Sequence, residues 1–134
     1  MTLKQFVEKY LGVKVDYDNY AGAQCVDLYR QYCKDVLNMP ESEKVESAKH
    51  LWELHDRTVI QKQYLQKVYN TTDFVPNQGD FVIYGSGKHG HVAIVLFANV
   101  SYLIVFEQDG YAQDGAKPAM RNYKDVLGFL RFKG

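Results

Sequence analysis

At 134 residues the chain can bury a core without metal or disulfide staples, and it carries no internal repeat, so one domain over residues 1–134 is expected. Sixteen basic and sixteen acidic residues balance, which removes the electrostatic case for a nucleic-acid or anionic-membrane partner. Two cysteines make no disulfide framework, and the longest apolar runs, at 92–98 and 102–106, fall far short of the roughly 20 residues of a membrane-spanning helix.

Thr2 followed three residues later by Gln5 is a capping-box pattern, and Leu3, Phe6, Val7, Tyr10 and Leu11 recur at helical spacing until Gly12. A first short helix is predicted there. The segment is amphipathic and charged, without the unbroken apolar stretch and small-residue cleavage site of a signal peptide. The expectation is synthesis in the cytoplasm and release by another route.

A second helix starts at Gln24 or Cys25, where Val26, Leu28, Tyr29, Tyr32, Cys33, Val36 and Leu37 form an apolar stripe closed by Asn38 and Pro40. On one helix the two cysteines stand roughly 12 Å apart along the axis, beyond the ~7 Å reach of a disulfide. Residues 41–70 are more polar, with a short helix expected around 47–55 and a segment at 64–70 whose pattern suits neither type. Beyond Pro76 the pattern turns to strands at 80–84, 91–97, 102–107 and 126–132, separated by glycine-containing turns and loops. Helices followed by consecutive strands predict an α+β fold, with the helices packed on one face of an antiparallel sheet.

Cys25 falls where the second helix begins, and a helix N-terminus favours a thiolate through its dipole and free amides. The same amides suit an oxyanion, with the Gln24 side chain as a second donor. The plain alternative is a small apolar residue on the buried stripe, which is the reading for Cys33. A nucleophilic cysteine needs a base, and His50, His55, His89 and His91 are available. His91 opens a strand, where alternation places it with Ala93 and Val95 and a rigid element would hold its ring; a structural histidine is the alternative. Glu107 ends the next strand. An odd-length loop between these two strands puts Glu107 or Asp109 on the face of His91, and an even one puts Gln108 there.

Asp16, Asp18, Tyr20, Gly22 and Asp27 occupy positions one, three, five, seven and twelve of a calcium-loop rhythm. Ala21 stands at the position of the usual glycine, and Asp27 at that of the bidentate glutamate. Ordinary Asx-turn chemistry is the competing reading. A bound cation would offset the charge of Asp27, which otherwise opposes a thiolate at Cys25.

Taken together and in this order, "DYDNYAGAQCVDLYRQY", "GDFVIYGSGKHGHVAIV" and "FEQDG" resemble the CHAP family, the cysteine, histidine-dependent amidohydrolases/peptidases. These are papain-like catalytic domains common in bacteriophage endolysins and bacterial wall hydrolases. The resemblance spans roughly residues 10–132. It implies Cys25 as nucleophile, His91 as base and Glu107 as orienting acid, with Asp109 standing where the family usually has asparagine. It further implies hydrolysis of a peptidoglycan amide in Gram-positive walls, as endopeptidase or N-acetylmuramoyl-L-alanine amidase, and calcium at Asp16, Asp18, Tyr20, Gly22 and Asp27. A wall-binding domain or subunit would lie outside this chain. The alternative is a calcium-stabilised wall-binding or virion structural module whose catalytic residues are vestigial.

Overall fold

In a computed structural model describing residues 1–134, the chain begins with the predicted helix, α1 (Leu3–Tyr10). The Gln5 N–H donates to Thr2 Oγ1 at 3.1 Å and Thr2 N–H to Gln5 Oε1 at 2.8 Å, so both halves of the capping box form. The loop that follows leads into α2 (Cys25–Asp35), whose Leu28, Tyr29, Tyr32 and Cys33 are buried. Three short helical turns, α3 (His50–Glu53), a 3₁₀ turn (His55–Arg57) and α4 (Val59–Tyr64), complete the helical half.

Six strands form one sheet: β1 (Leu65–Tyr69), β2 (Phe81–Tyr84), β3 (His91–Ala98), β4 (Leu103–Glu107), β5 (Lys117–Arg121) and β6 (Val126–Phe132). Their order is β1-β6-β2-β3-β4-β5 and every pairing is antiparallel. Four strands match the sequence pattern. The unassigned segment at 64–70 becomes β1, which pairs with β6 and so gains its strand character from a partner some sixty residues away. β5, inside the stretch read as a glycine-rich loop, pairs with β4; its burial is shallow, so it has no apolar alternation to betray it.

The sheet separates two apolar clusters. Phe81, Ile83, Val92, Ile94, Phe106 and Leu130 face the helices, where Phe6, Tyr29 and Tyr32 meet them edge-on. Val82, Ala93, Val95, Leu103, Val105 and Phe129 face the other way. The helices therefore serve one face, as the α+β reading requires. No helix is long and apolar enough to cross a membrane. Trp52 packs against β6, where a Cβ on Gly128 would fall 2.2 Å from the indole, so only glycine admits the ring.

One irregularity positions the site. The β3–β4 loop, residues 99–102, has an even length, which by simple alternation would bring Gln108 to the face of His91. The register shifts between Val95 and Phe97, leaving Leu96 as an extra residue: Ala98 pairs with Leu103, but Ile94 pairs with Phe106. This β-bulge inverts the parity, and Glu107 instead of Gln108 shares the face of His91.

Candidate active site

Each half of the candidate dyad comes from a rigid element. Cys25 is the first residue of α2, and Gln24 is its N-cap, with extended backbone whose N–H donates to Asp27 Oδ2 at 2.9 Å. Cys25 is half-buried, whereas Cys33 is buried and burial pushes its thiol up to about 12, so it is inert; neither is in a disulfide. His91 is the first residue of β3, directly opposite Tyr84 of β2.

His91 Nε2 lies 3.1 Å from Glu107 Oε1, and His91 and Cys25 line the same cleft. Burial favours the neutral imidazole, but hydrogen bonds to Cys25 and Glu107 and the charges of both outweigh it and lift its pKa to about 9. Burial likewise opposes the charge on Glu107. Hydrogen bonds from His91 and Arg121, and their charges, prevail and bring its carboxyl down to about 2.

Arg121 is a residue that the sequence reading missed. It reaches over from β5 and forks onto Glu107, Nη2 donating to Oε2 at 2.7 Å and Nε to Oε1. Glu107 is only 4% exposed, and a carboxylate so buried requires a compensating cation. That requirement was a usable signal, but no sequence spacing says which arginine meets it.

The other candidates are placed as follows. Asp109 lines the cleft, and its Oδ1 accepts the Tyr111 N–H at 2.8 Å, closing an Asx turn. The Gln24 side chain lines the same cleft, with its amide donating to the Ala21 carbonyl at 3.2 Å. His89 also borders it, 2.8 Å by Nδ1 from Ser47 Oγ. His50 opens α3, and His55 is buried in the 3₁₀ turn, where burial lowers its pKa. The cleft measures about 910 Å³ and has both Cys25 and His91 in its wall.

A second constellation adjoins the first. Asp16, Asp18 and Asp27 bring one carboxylate oxygen each within 4.8 Å of one another. Asp16 Oδ1 is buried without any hydrogen-bond partner. Asp27 is pushed up to about 6, chiefly by burial and then by the charges of Asp18 and Asp16, against the Gln24 N–H that accompanies its ionised form. Crowded carboxylates with an orphaned buried oxygen suit a hard divalent cation that takes oxygen ligands. Tyr20 and Gly22 lie on the same loop; Gly22 has only its main-chain carbonyl to offer, and the Tyr20 N–H donates to Asp18 Oδ1 at 3.1 Å. The Asx turn and the acidic cluster therefore coexist.

The CHAP domain model matches residues 15–109, nearly three quarters of the chain. The chain belongs to the CHAP family. Among solved structures, the crystal structure of a wild type endolysin, LysIME-EF1, superposes with a TM-score of 0.74 at 21% identity, covering 98% of this chain. The chain spans 64% of the length of that endolysin chain. At this identity the likeness establishes the fold, the α+β, papain-like arrangement of a CHAP domain. The family match runs from Val15, the residue before the acidic cluster, to Asp109, two residues after Glu107, and so encloses Cys25, His91 and Glu107. Arg121 and β5 lie beyond it.

Proposed function

We propose that this CHAP domain is a thiol-dependent peptidoglycan hydrolase that cleaves an amide bond in Gram-positive walls. The observation that carries the reading is the convergence of Cys25 and His91 on one open cleft, with His91 held by Glu107 at 3.1 Å. With His91 holding its proton up to about pH 9, Cys25 is paired with an imidazolium in the neutral range. The thiolate attacks the amide carbonyl, forming a C–S bond while the carbonyl electrons move to oxygen. The amides of Cys25 and Val26, in the first helical turn, have no intrahelical acceptor and stabilise that oxyanion. Gln24 joins them only if its side chain leaves the Ala21 carbonyl.

As the tetrahedral intermediate collapses, the C–N bond breaks and His91 gives its proton to the leaving amine. The neutral imidazole then takes a proton from the water that attacks the thioester carbonyl. As that intermediate collapses the C–S bond breaks, the acid product leaves, and Cys25 thiolate and His91 imidazolium are restored. Glu107 holds the ring and balances its positive charge, and Arg121 keeps the Glu107 carboxylate ionised and fixed. Asp109, where the family usually has asparagine, shapes the cleft wall through its turn. Incubating purified walls with the protein is expected to release soluble fragments, whose masses identify the bond as sugar to stem, within the stem, or in the cross-bridge. Intact walls after incubation would refute the reading.

We further propose calcium as the cation of the neighbouring cluster, held by Asp16, Asp18 and Asp27 with main-chain carbonyls of Tyr20 and Gly22. It would supply positive charge that offsets three carboxylates and fixes the loop ahead of Cys25. Because the native Asp27 binds its proton more tightly than its ordinary value of 3.8, the ion-free protein loses stability as pH rises from about 3.8 to 6. Added calcium is expected to raise Tm at neutral pH, the gain shrinking as pH falls below about 6 and Asp27 protonates. Calorimetry with calcium and with a chelator checks this. An Asp16→Ala, Asp18→Ala double variant that responds like the parent would rule out the cluster.

A further inference from the structure

The last residue of β4 and the one that follows it point to opposite faces. Glu107 serves His91, while Gln108 turns to the helix side, the face of Phe106. Gln108 is 0% exposed. Its amide makes three hydrogen bonds, all to main chain in the segment leading into α2. Oε1 accepts the Val15 N–H at 2.8 Å, and Nε2 donates to the Val15 carbonyl at 2.7 Å and to the Gln24 carbonyl at 2.8 Å.

Both amide hydrogens are thus used, and the exchange with Val15 imitates the paired bonds of an adjacent strand. The Gln24 carbonyl is also the acceptor for the Asp27 N–H at 3.0 Å, the first bond of α2. Gln108 therefore grips the helix at its cap, one residue before Cys25. An apolar side chain of this size would fill the same space but leave the Val15 N–H and carbonyl without their partner, which lowers stability and makes the melting temperature a necessary companion to any reactivity measurement. What the amide adds is a fixed distance and direction.

We propose that Gln108 is a positioning residue: by clamping the Gln24 carbonyl to the end of β4, it sets the placement of Cys25 against His91, which the preceding residue, Glu107, holds. The proposal rests on reading Cys25 as the nucleophile, but it does not depend on the substrate being peptidoglycan. Gln108 touches neither substrate nor reacting atoms and acts through the helix cap. Displacements near 1 Å can cost roughly 10²-fold in rate.

The test follows alkylation of Cys25 by iodoacetamide at mildly acidic pH, with mass spectrometry to confirm that buried Cys33 stays unlabelled. Gln108→Met, similar in length and without donors, and Gln108→Asn, one methylene shorter, are compared with the parent. Tyr10→Phe serves as a control that loses only the 2.6 Å bond to Asp35 between α1 and α2. The expected result is that the Gln108 variants remain folded by circular dichroism but react about tenfold more slowly, as a thiol withdrawn from its imidazolium does. On walls, kcat should fall with KM near the parent value, and Tyr10→Phe should lose only Tm. Alkylation within twofold of the parent in a folded Gln108 variant overturns the proposal. So does failure of both variants to fold, which would make Gln108 a general support of the fold. A parent that alkylates rapidly yet leaves walls intact would refute the proposed substrate and leave the clamp standing.

Discussion

Cys25→Ala is expected to abolish wall hydrolysis, by roughly 10⁴- to 10⁶-fold, as removal of a nucleophile from a coupled catalytic group does. No other thiol can substitute: Cys33 is buried among Tyr29 and Tyr32 and its proton is held up to about 12. Stability should change little, within about 1 kcal/mol, because Cys25 is half-buried at a helix start whose cap and clamp are made by other residues. Turbidity loss of purified walls gives the rate, and a thermal melt gives the stability. Lysis retained at the parent rate would contradict the thiol mechanism. Loss of lysis with an unchanged melting temperature separates catalysis from a merely structural part, and it also argues against a wall-binding module with vestigial residues.

Glu107→Gln should lower kcat by about 10²- to 10⁴-fold and also reshape its pH dependence. The amide keeps the shape of the side chain but removes one of the two charges that lift His91. Burial already disfavours the imidazolium and only Cys25 still supports it, so without Glu107 the pKa falls from about 9 toward the ordinary 6.5. The proton donor for the leaving amine is then depleted at lower pH, and the alkaline limb of the activity profile moves down by about one to two pH units. Arg121, freed from its carboxylate, can turn to solvent because its side chain is already 39% exposed. A loss of rate with the alkaline limb unmoved would deny Glu107 its electrostatic role.

The same two groups shape stability, with opposite signs. Glu107, depressed from 4.5 to about 2, contributes stability that is present above 4.5 and lost as pH falls through 2. His91, raised from 6.5 to about 9, contributes stability that is complete below 6.5 and lost as pH rises through 9. Both contributions are complete only between 4.5 and 6.5, and above 6.5 the share of His91 declines until it is lost past about 9.

Legibility followed the range of the interactions. The first two helices announced themselves because capping and apolar periodicity are local, and β2, β3, β4 and β6 because their side chains are buried enough to show a strand pattern. β1 and β5 did not, since pairing with β6 and β4 makes them strands. Cys25, His91 and Glu107 emerged from the sequence through their order and the resemblance it carries. Arg121 stayed hidden, because the β4–β5 register sets Lys117 opposite Glu107 and Arg121 opposite Leu103, so the guanidinium reaches Glu107 along the sheet, where neither spacing nor pairing points to it. Gln108 was noticed only as the residue that an even loop would bring to His91.

The sequence by itself determined the α+β class, the start of α2 at Gln24 or Cys25 and the acidic residues ahead of it, all of which depend on neighbours a few positions apart. Only the tertiary structure decided which side of the sheet each end residue of β4 serves. The four-residue loop predicts one answer, and the bulge at Leu96 produces the other by adding a single residue to β3. Side chains alternate with a period of two, so that one residue exchanges the roles of Glu107 and Gln108. A bulge is an agreement between two paired strands, and it becomes visible only once they are paired.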